Sequence, residues 1–269
     1  MTTHVIQFSS GIGSWATARR VAERHGTDNL ILLFADTRDE DPDNYRFATD
    51  AAANIGAPLI TVADGRDVKQ VMRDERFLGN SRIAPCSKHL KQIPCRKWLQ
   101  ENTDPAETIL YVGIDASEIH RIPAIVAGWA PWPVEFPMTE PPYIDKLMML
   151  AIARADGLEP PSMYRDNYPH ANCGGRCVRQ GQAGWALTLR VHPDRYAEME
   201  AFENEMREEL GDVAMMKDRT GGETRPLTLT ELRTRIEAKP EKDASNGKPW
   251  LLDPYDFGGC GCLTEGLAA

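Results

Sequence analysis

The 269-residue chain has no apolar run long enough to cross a bilayer, which argues against a helical membrane protein. No secretory leader is read at its start, so a cytoplasmic location is expected. Surplus positive charge is also missing. There are 31 Lys and Arg against 40 Asp and Glu, a net charge of −9, and a pI near 5.2. Strong non-specific nucleic-acid binding depends on many phosphate contacts, and this balance argues against it. No Gly-Lys-Ser/Thr ending and no Gly-x-Gly-x-x-Gly occurs where one would matter, so a Walker-type loop and a dinucleotide fingerprint are both out. Internal repeats are absent, and so is the Cys-x2-Cys spacing of a zinc ribbon.

What is present begins at residue 4. His4–Phe8 has strand character, and Trp15, Ala18, Val21 and Ala22 recur at helical spacing until Gly26. Between them lies Ser9-Ser10-Gly11-Ile12-Gly13-Ser14. A strand, a Gly/Ser turn and a helix N-terminus make an anion site, because free backbone N–H groups and the helix dipole converge there. The run Leu30–Ala35 is wholly apolar, the pattern of a strand buried on both faces of a parallel sheet. It ends in Asp36-Thr37, and Asp41-Pro42 then opens a helix to about Asn54. Further strands are predicted over 58–63, 108–114 and 134–136. Polar groups at the carboxyl ends of such strands are where open α/β sheets bind ligands.

These segments resemble the PP-loop proteins, in particular the phosphoadenosine-phosphosulfate (PAPS) reductase family. The Ser9–Ser14 run is similar to their Ser-Gly-Gly-x-Asp-Ser loop, with Ser10 where a glycine is usual and Gly13 where an aspartate is usual. The resemblance extends through Ala35-Asp36-Thr37, and through Gly113 to Arg121, which is similar to the family's Gly-x-x-x-x-Glu-Ser-x-Arg stretch. It also covers Cys86 to Lys91, similar to a Cys-x-x-x-x-Lys stretch of sulfur-transfer relatives. It implies a doubly wound, mostly parallel α/β sheet of the Rossmann-like PP-loop type. An adenine nucleotide, ATP with Mg²⁺, would contact Ser9, Ser10, Gly11, Gly13, Ser14, Asp36, Thr37 and Gly113. Cys86, Lys91 and Arg121 are the expected catalytic side chains.

Arg82 to Lys97 carries five Lys and Arg and no Asp or Glu, which suggests a phosphate-facing groove in which the Cys86 thiolate is favoured. The alternative is that Cys86 packs as a small apolar residue, the reading also given to Cys95. The remaining cysteines form two close pairs in glycine-rich turns, Cys173/Cys177 and Cys260/Cys262. In a reducing compartment such pairs hold metal or do redox work. Four thiolates suit Zn²⁺ or an iron–sulfur cluster equally on charge grounds; the resemblance favours a [4Fe–4S] cluster, with zinc as the alternative. His170 reads as a further ligand or as a turn cap.

Residues 1–140 are thus expected to form the nucleotide domain and 141–269 a helical, cysteine-bearing region in which strand signals stop. Helices are predicted over 143–156, 178–189, 193–210 and 228–238, the third an acidic solvated face; residues 239–248 read as a linker. The expected function is ATP-dependent adenylation of an acceptor for sulfur transfer. Thiol-dependent reduction of PAPS or adenylyl sulfate is one alternative. A zinc-stabilised nucleotide-binding protein with a degenerate loop is another. Expected partners are an adenine nucleotide, a sulfur donor (a cysteine desulfurase or sulfide), a nucleic-acid acceptor and a second copy in a homodimer, with no membrane.

Overall fold

Along the strand Leu30–Asp36, Leu30, Leu32 and Phe34 bury into one apolar cluster while Ile31, Leu33 and Ala35 face another. A strand with two apolar faces needs helices on both sides, and the computed structural model shows that arrangement. It describes residues 1–79, 84–219 and 222–238. Five parallel strands run in the order β3-β2-β1-β4-β5, with β1 Thr3–Phe8, β2 Leu30–Asp36, β3 Leu59–Ala63, β4 Thr108–Tyr111 and β5 Val134–Glu135. The doubly wound α/β sheet expected from the sequence is the observed fold.

On one face, α1 (Ile12–His25), α2 (Pro42–Ile55) and α7 (Lys146–Ala155) pack over Ile6, Phe8, Leu32 and Phe34. On the other, α5 (Ile93–Asn102) and α6 (Ile122–Trp129) cover Val5, Leu33 and Leu110. Cys95 is buried in that second layer, so its packing reading holds. The connection from α3 (Val68–Asp74) to α5 passes through a one-turn α4 (Pro85–Ser87) and a π-turn, Lys88–Gln92. Inserted π-turns widen the helix by one residue and often accompany functional sites.

The C-terminal half departs from expectation in four ways. The predicted helix 143–156 begins only at Lys146, where Asp145 caps the Met148 N–H. The one predicted over 178–189 is α8, Gln182–Val191, starting after Gly181. Strands also continue: β6 Met216–Asp218 and β7 Arg225–Leu227 form a small antiparallel ribbon, each only three residues long and too short to read from periodicity. Helix α9 is Pro193–Leu210 as predicted, but it is not merely a solvated face. Tyr196, Met199, Phe202 and Met206 bury one side of it, against Trp185 of α8, Leu229 and Leu232 of α10 (Leu229–Glu237), and Val71 and Met72 of α3. That cluster joins residues from both predicted domains into one core. The acidic side of α9 meets α3 as ion pairs, Lys69 with Glu198 and Arg73 with Glu205.

Candidate functional site

The loop after β1 turns through a left-handed residue. Ser10 has φ 54°, a conformation glycine adopts freely and an L side chain at a cost on the order of 1 kcal/mol. Its hydroxyl is buried without a hydrogen-bond partner. The Ser14 hydroxyl accepts from the Ser9 N–H at 3.2 Å and donates to the Gly11 carbonyl at 2.8 Å, folding the loop onto the start of α1. Gly113, just beyond β4, touches this loop. A Cβ there would lie 3.0 Å from the Gly13 carbonyl oxygen and 2.9 Å from Thr17 Oγ1. The structure therefore brings Ser9–Ser14 and Gly113 together. Arg121 ends the short 3₁₀ turn that follows, ion-paired with Glu118.

The end of β2 is more crowded than its sequence suggests. Asp36 accepts from the Tyr45 hydroxyl at 2.7 Å and from the Arg38 N–H at 2.8 Å. Asp39 caps the Val68 N–H at 2.6 Å; its burial raises its pKa despite that bond and the nearby Arg176 guanidinium. Glu40, with a side chain 1% exposed, is the hub. It accepts from Thr37 Oγ1 (3.3 Å), Asn44 Nδ2 (3.2 Å), Lys91 Nζ (3.4 Å) and the Cys173 N–H (2.7 Å). Sequence reasoning passed over Glu40 as one more acid in an acidic run.

Lys91 enters from the π-turn and is buried beside Glu40. Burial alone would lower its pKa, but Glu40 and the neighbouring thiols outweigh it and hold the ammonium charged. Cys86, Cys173 and Cys177 line the same recess as Lys91, together with Arg176 and Arg179. Sequence spacing paired Cys173 with Cys177 and left Cys86 apart; the fold joins all three. Cys173 (φ 60°), Gly174 (φ 52°) and Gly175 (φ 77°) are all left-handed, a tight backbone wrap. Its handholds are remote in sequence. Arg195 bonds the Gly174 carbonyl at 2.9 Å and Asp41 at 2.6 Å, and Asn44 bonds the Ala171 carbonyl at 2.8 Å.

Two expectations are corrected here. The Cys86 thiolate is not favoured: burial pushes its pKa up to about 11, because only Lys91 of the neighbouring cations offsets it. The basic stretch does not form a continuous groove among its described residues. Lys88 is exposed, Lys91 is spent on Glu40, Arg96 stacks on Trp129 and Trp132, and Lys97 faces Glu101. Among the described residues, the thiol that ionises most readily is Cys177. Cys173 donates to it, and the Arg179 N–H and the Lys91 charge assist. Arg82, Cys260 and Cys262 lie outside the described residues. His170 is held neutral, its pKa lowered to about 4 by burial and by Lys146 and Lys91.

No protein-family model matches the chain. No curated protein matches it. Among solved structures it is similar to phosphoadenylyl-sulfate (PAPS) reductase from Candida auris in a phosphate complex. The TM-score is 0.44 at 13% identity, over 62% of this chain and 78% of that one. It is also similar to the NH3-dependent NAD synthetase from Campylobacter jejuni subsp. jejuni NCTC 11168 in complex with nitrate, with a TM-score of 0.40 at 12% identity, over 93% and 89% of the two chains. Among the described residues no helix is long and apolar enough to cross a membrane.

Proposed function

We propose that this chain binds ATP or a related adenine nucleotide at the Ser9–Ser14 loop and adenylates an acceptor for sulfur transfer, the sulfur being handled by the recess of Cys86, Cys173 and Cys177. The observation that supports this reading is the direct attachment of the thiol loop to the nucleotide edge of the sheet. Glu40, four residues past the end of β2, holds both the Cys173 N–H and Lys91. An acceptor oxygen would attack the α-phosphorus; the bond from that phosphorus to the leaving pyrophosphate breaks. A sulfur nucleophile would then displace AMP, which leaves with the acceptor's oxygen. Loop amides at the start of α1 face the charge that develops on the phosphates, where preorganised donors are worth most. By the resemblance, Arg121 would add a cation there, exchanging Glu118 for phosphate. With Gly13 in the place of an aspartate the loop offers Mg²⁺ no carboxylate, so the ion would enter with the nucleotide.

The thiols also bear on a metal centre. Three cysteines with Lys91, Arg176 and Arg179 beside them suit an anionic, thiolate-bound group. Among the described residues, however, no group of three or more His, Cys, Asp or Glu side chains is arranged to hold an ion. The centre would therefore need a further donor, and Cys260 and Cys262 are the candidates by sequence. Cys173 and Cys177 with Cys260 and Cys262 would hold it, as a [4Fe–4S] cluster in the first reading and as Zn²⁺ in the second. A cluster with fewer than four protein ligands would supply an iron able to take up sulfide.

Anaerobic purification with iron, zinc and acid-labile sulfide analysis tests the centre; a colourless, zinc-loaded protein would remove the cluster. Pyrophosphate release from ATP tests the adenylation. Sulfite release from PAPS would favour thiol-dependent reduction, for which the hydrogen-bonded Cys173–Cys177 pair is the supporting feature. Binding without turnover would leave a nucleotide-binding protein with a degenerate loop.

A further inference from the structure

Tyr164 belongs to neither loop, yet its hydroxyl touches both. It lies on a 3₁₀ turn, Ser162–Tyr164, that is fixed to α2 through the Ser162 N–H on Asp43 at 2.7 Å. The Tyr164 oxygen accepts the Ile12 N–H, the first amide of α1, at 3.1 Å. Its ring packs against the apolar cluster that contains Ala171, two residues before Cys173, and the Ala171 backbone lies beside the hydroxyl. A Cβ on Gly11 would sit 3.4 Å from the same oxygen, so glycine is what lets the hydroxyl approach the loop. A phenol has one proton and two lone pairs. One lone pair is engaged by the Ile12 N–H, and the proton can be given to an acceptor beside Ile12. The buried, partnerless Ser10 hydroxyl in the same loop is a second donor in search of one.

We propose that Tyr164 is a positioning residue which couples the nucleotide loop to the cysteine loop, its hydroxyl holding Ile12 while its ring packs beside Ala171. The inference rests on the reading of Ser9–Ser14 as a phosphate site. A phosphate at that loop takes the Tyr164 proton and competes for the Ile12 N–H. The hydroxyl then shifts, and Ala171 shifts with it. Cys173 feels the displacement because the chain between them is short and Glu40 anchors its N–H from the other side. By reciprocity, a ligand that reorders the cysteine loop alters nucleotide affinity by the same factor.

The test uses the full chain and two readouts: calorimetry with Mg²⁺-ATP, and hydrogen exchange of the 165–177 segment with and without it. Wild type is expected to bind and to change its exchange over 165–177. Tyr164→Phe is expected to bind about tenfold more weakly, the effect of losing one hydrogen bond to a charged group. In that variant exchange over 165–177 no longer responds to saturating nucleotide. A response that survives in Tyr164→Phe overturns the coupling. So does wild type that binds ATP with no change over 165–177, an outcome independent of whether the variant folds. If no adenine nucleotide binds wild type at all, the proposed function falls and this inference with it.

Discussion

The Ser9–Ser14 loop and the Ala171–Cys177 loop each force one non-glycine residue, Ser10 and Cys173, into the left-handed region. They hold it by opposite means. Ser10 sits between a strand and a helix that follow one another in sequence, and its neighbours Ser9, Gly11 and Ser14 bond within the loop. Cys173 has less of a local frame, one bond from the Arg176 N–H to its own carbonyl at 2.8 Å. Its loop is otherwise held by Glu40, Asn44 and Arg195, all distant in sequence. A loop built from its own flanks tolerates changes elsewhere. A loop built from remote tethers registers them, as the proposed sulfur-handling site would have to.

The largest effect should come from cutting the main tether. Glu40→Ala leaves a buried Lys91 ammonium and the Cys173 N–H unpaired, so a loss of about 3–5 kcal/mol in urea unfolding is expected. Glu40→Gln keeps the shape and should cost less. Equal losses in the two variants would mean that charge at Lys91 is irrelevant to the recess.

Gly113→Ala attacks the other loop. The new Cβ would press on the Gly13 carbonyl and Thr17, where both are fixed: Thr17 already donates to Gly13 O at 2.8 Å. Overpacking of this kind costs about 1–3 kcal/mol. Nucleotide affinity should fall with it, while alkylation of Cys177 without nucleotide stays unchanged. Gly13→Ala meets only the Gly113 carbonyl, at 3.4 Å, and should be milder. A reversed order would show that the loop is not braced from β4.

How much of this was legible follows from the same contrast. The first strand, loop and helix could be read because their signals are local: an apolar strand, small residues, then a helix, with Asp36 and Thr37 at the next strand end. The thiol recess could not. Cys86 reaches Cys173 and Cys177 only through the π-turn and the docking of α8 and α9, and no spacing rule encodes that meeting. Counting cations around Cys86 misled for the same reason, since neighbours in sequence point away in space. The acidity of α9 hid Tyr196, Met199, Phe202 and Met206, which recur at helical intervals beneath it.

pH offers a smaller and graded effect. His170 has a folded pKa of about 4 against 6.5 unfolded, lowered by burial, Lys146 and Lys91. The unfolded chain therefore binds the proton first. Stability from this group is present above pH 6.5 and is lost as pH falls from there through 4. His4, lowered by burial and by His25, acts in the same direction. His170→Asn should flatten the unfolding free energy across that window. An unchanged slope would place the acid sensitivity elsewhere.

The smallest effect is the sharpest probe of the comparison. Ser10→Gly removes both the left-handed strain and a buried hydroxyl without a partner, gains offset by the extra freedom of glycine in the unfolded chain. A net stabilisation of about 0.5 kcal/mol is expected from these opposing terms. If the hydroxyl serves as a phosphate donor, the glycine variant will be slightly more stable yet bind nucleotide less tightly. A chain that gains in both would show that Ser10 donates nothing to the ligand, and that its loop works through backbone amides alone. The matching change at Cys173 has no such reading, because glycine there also removes a thiol.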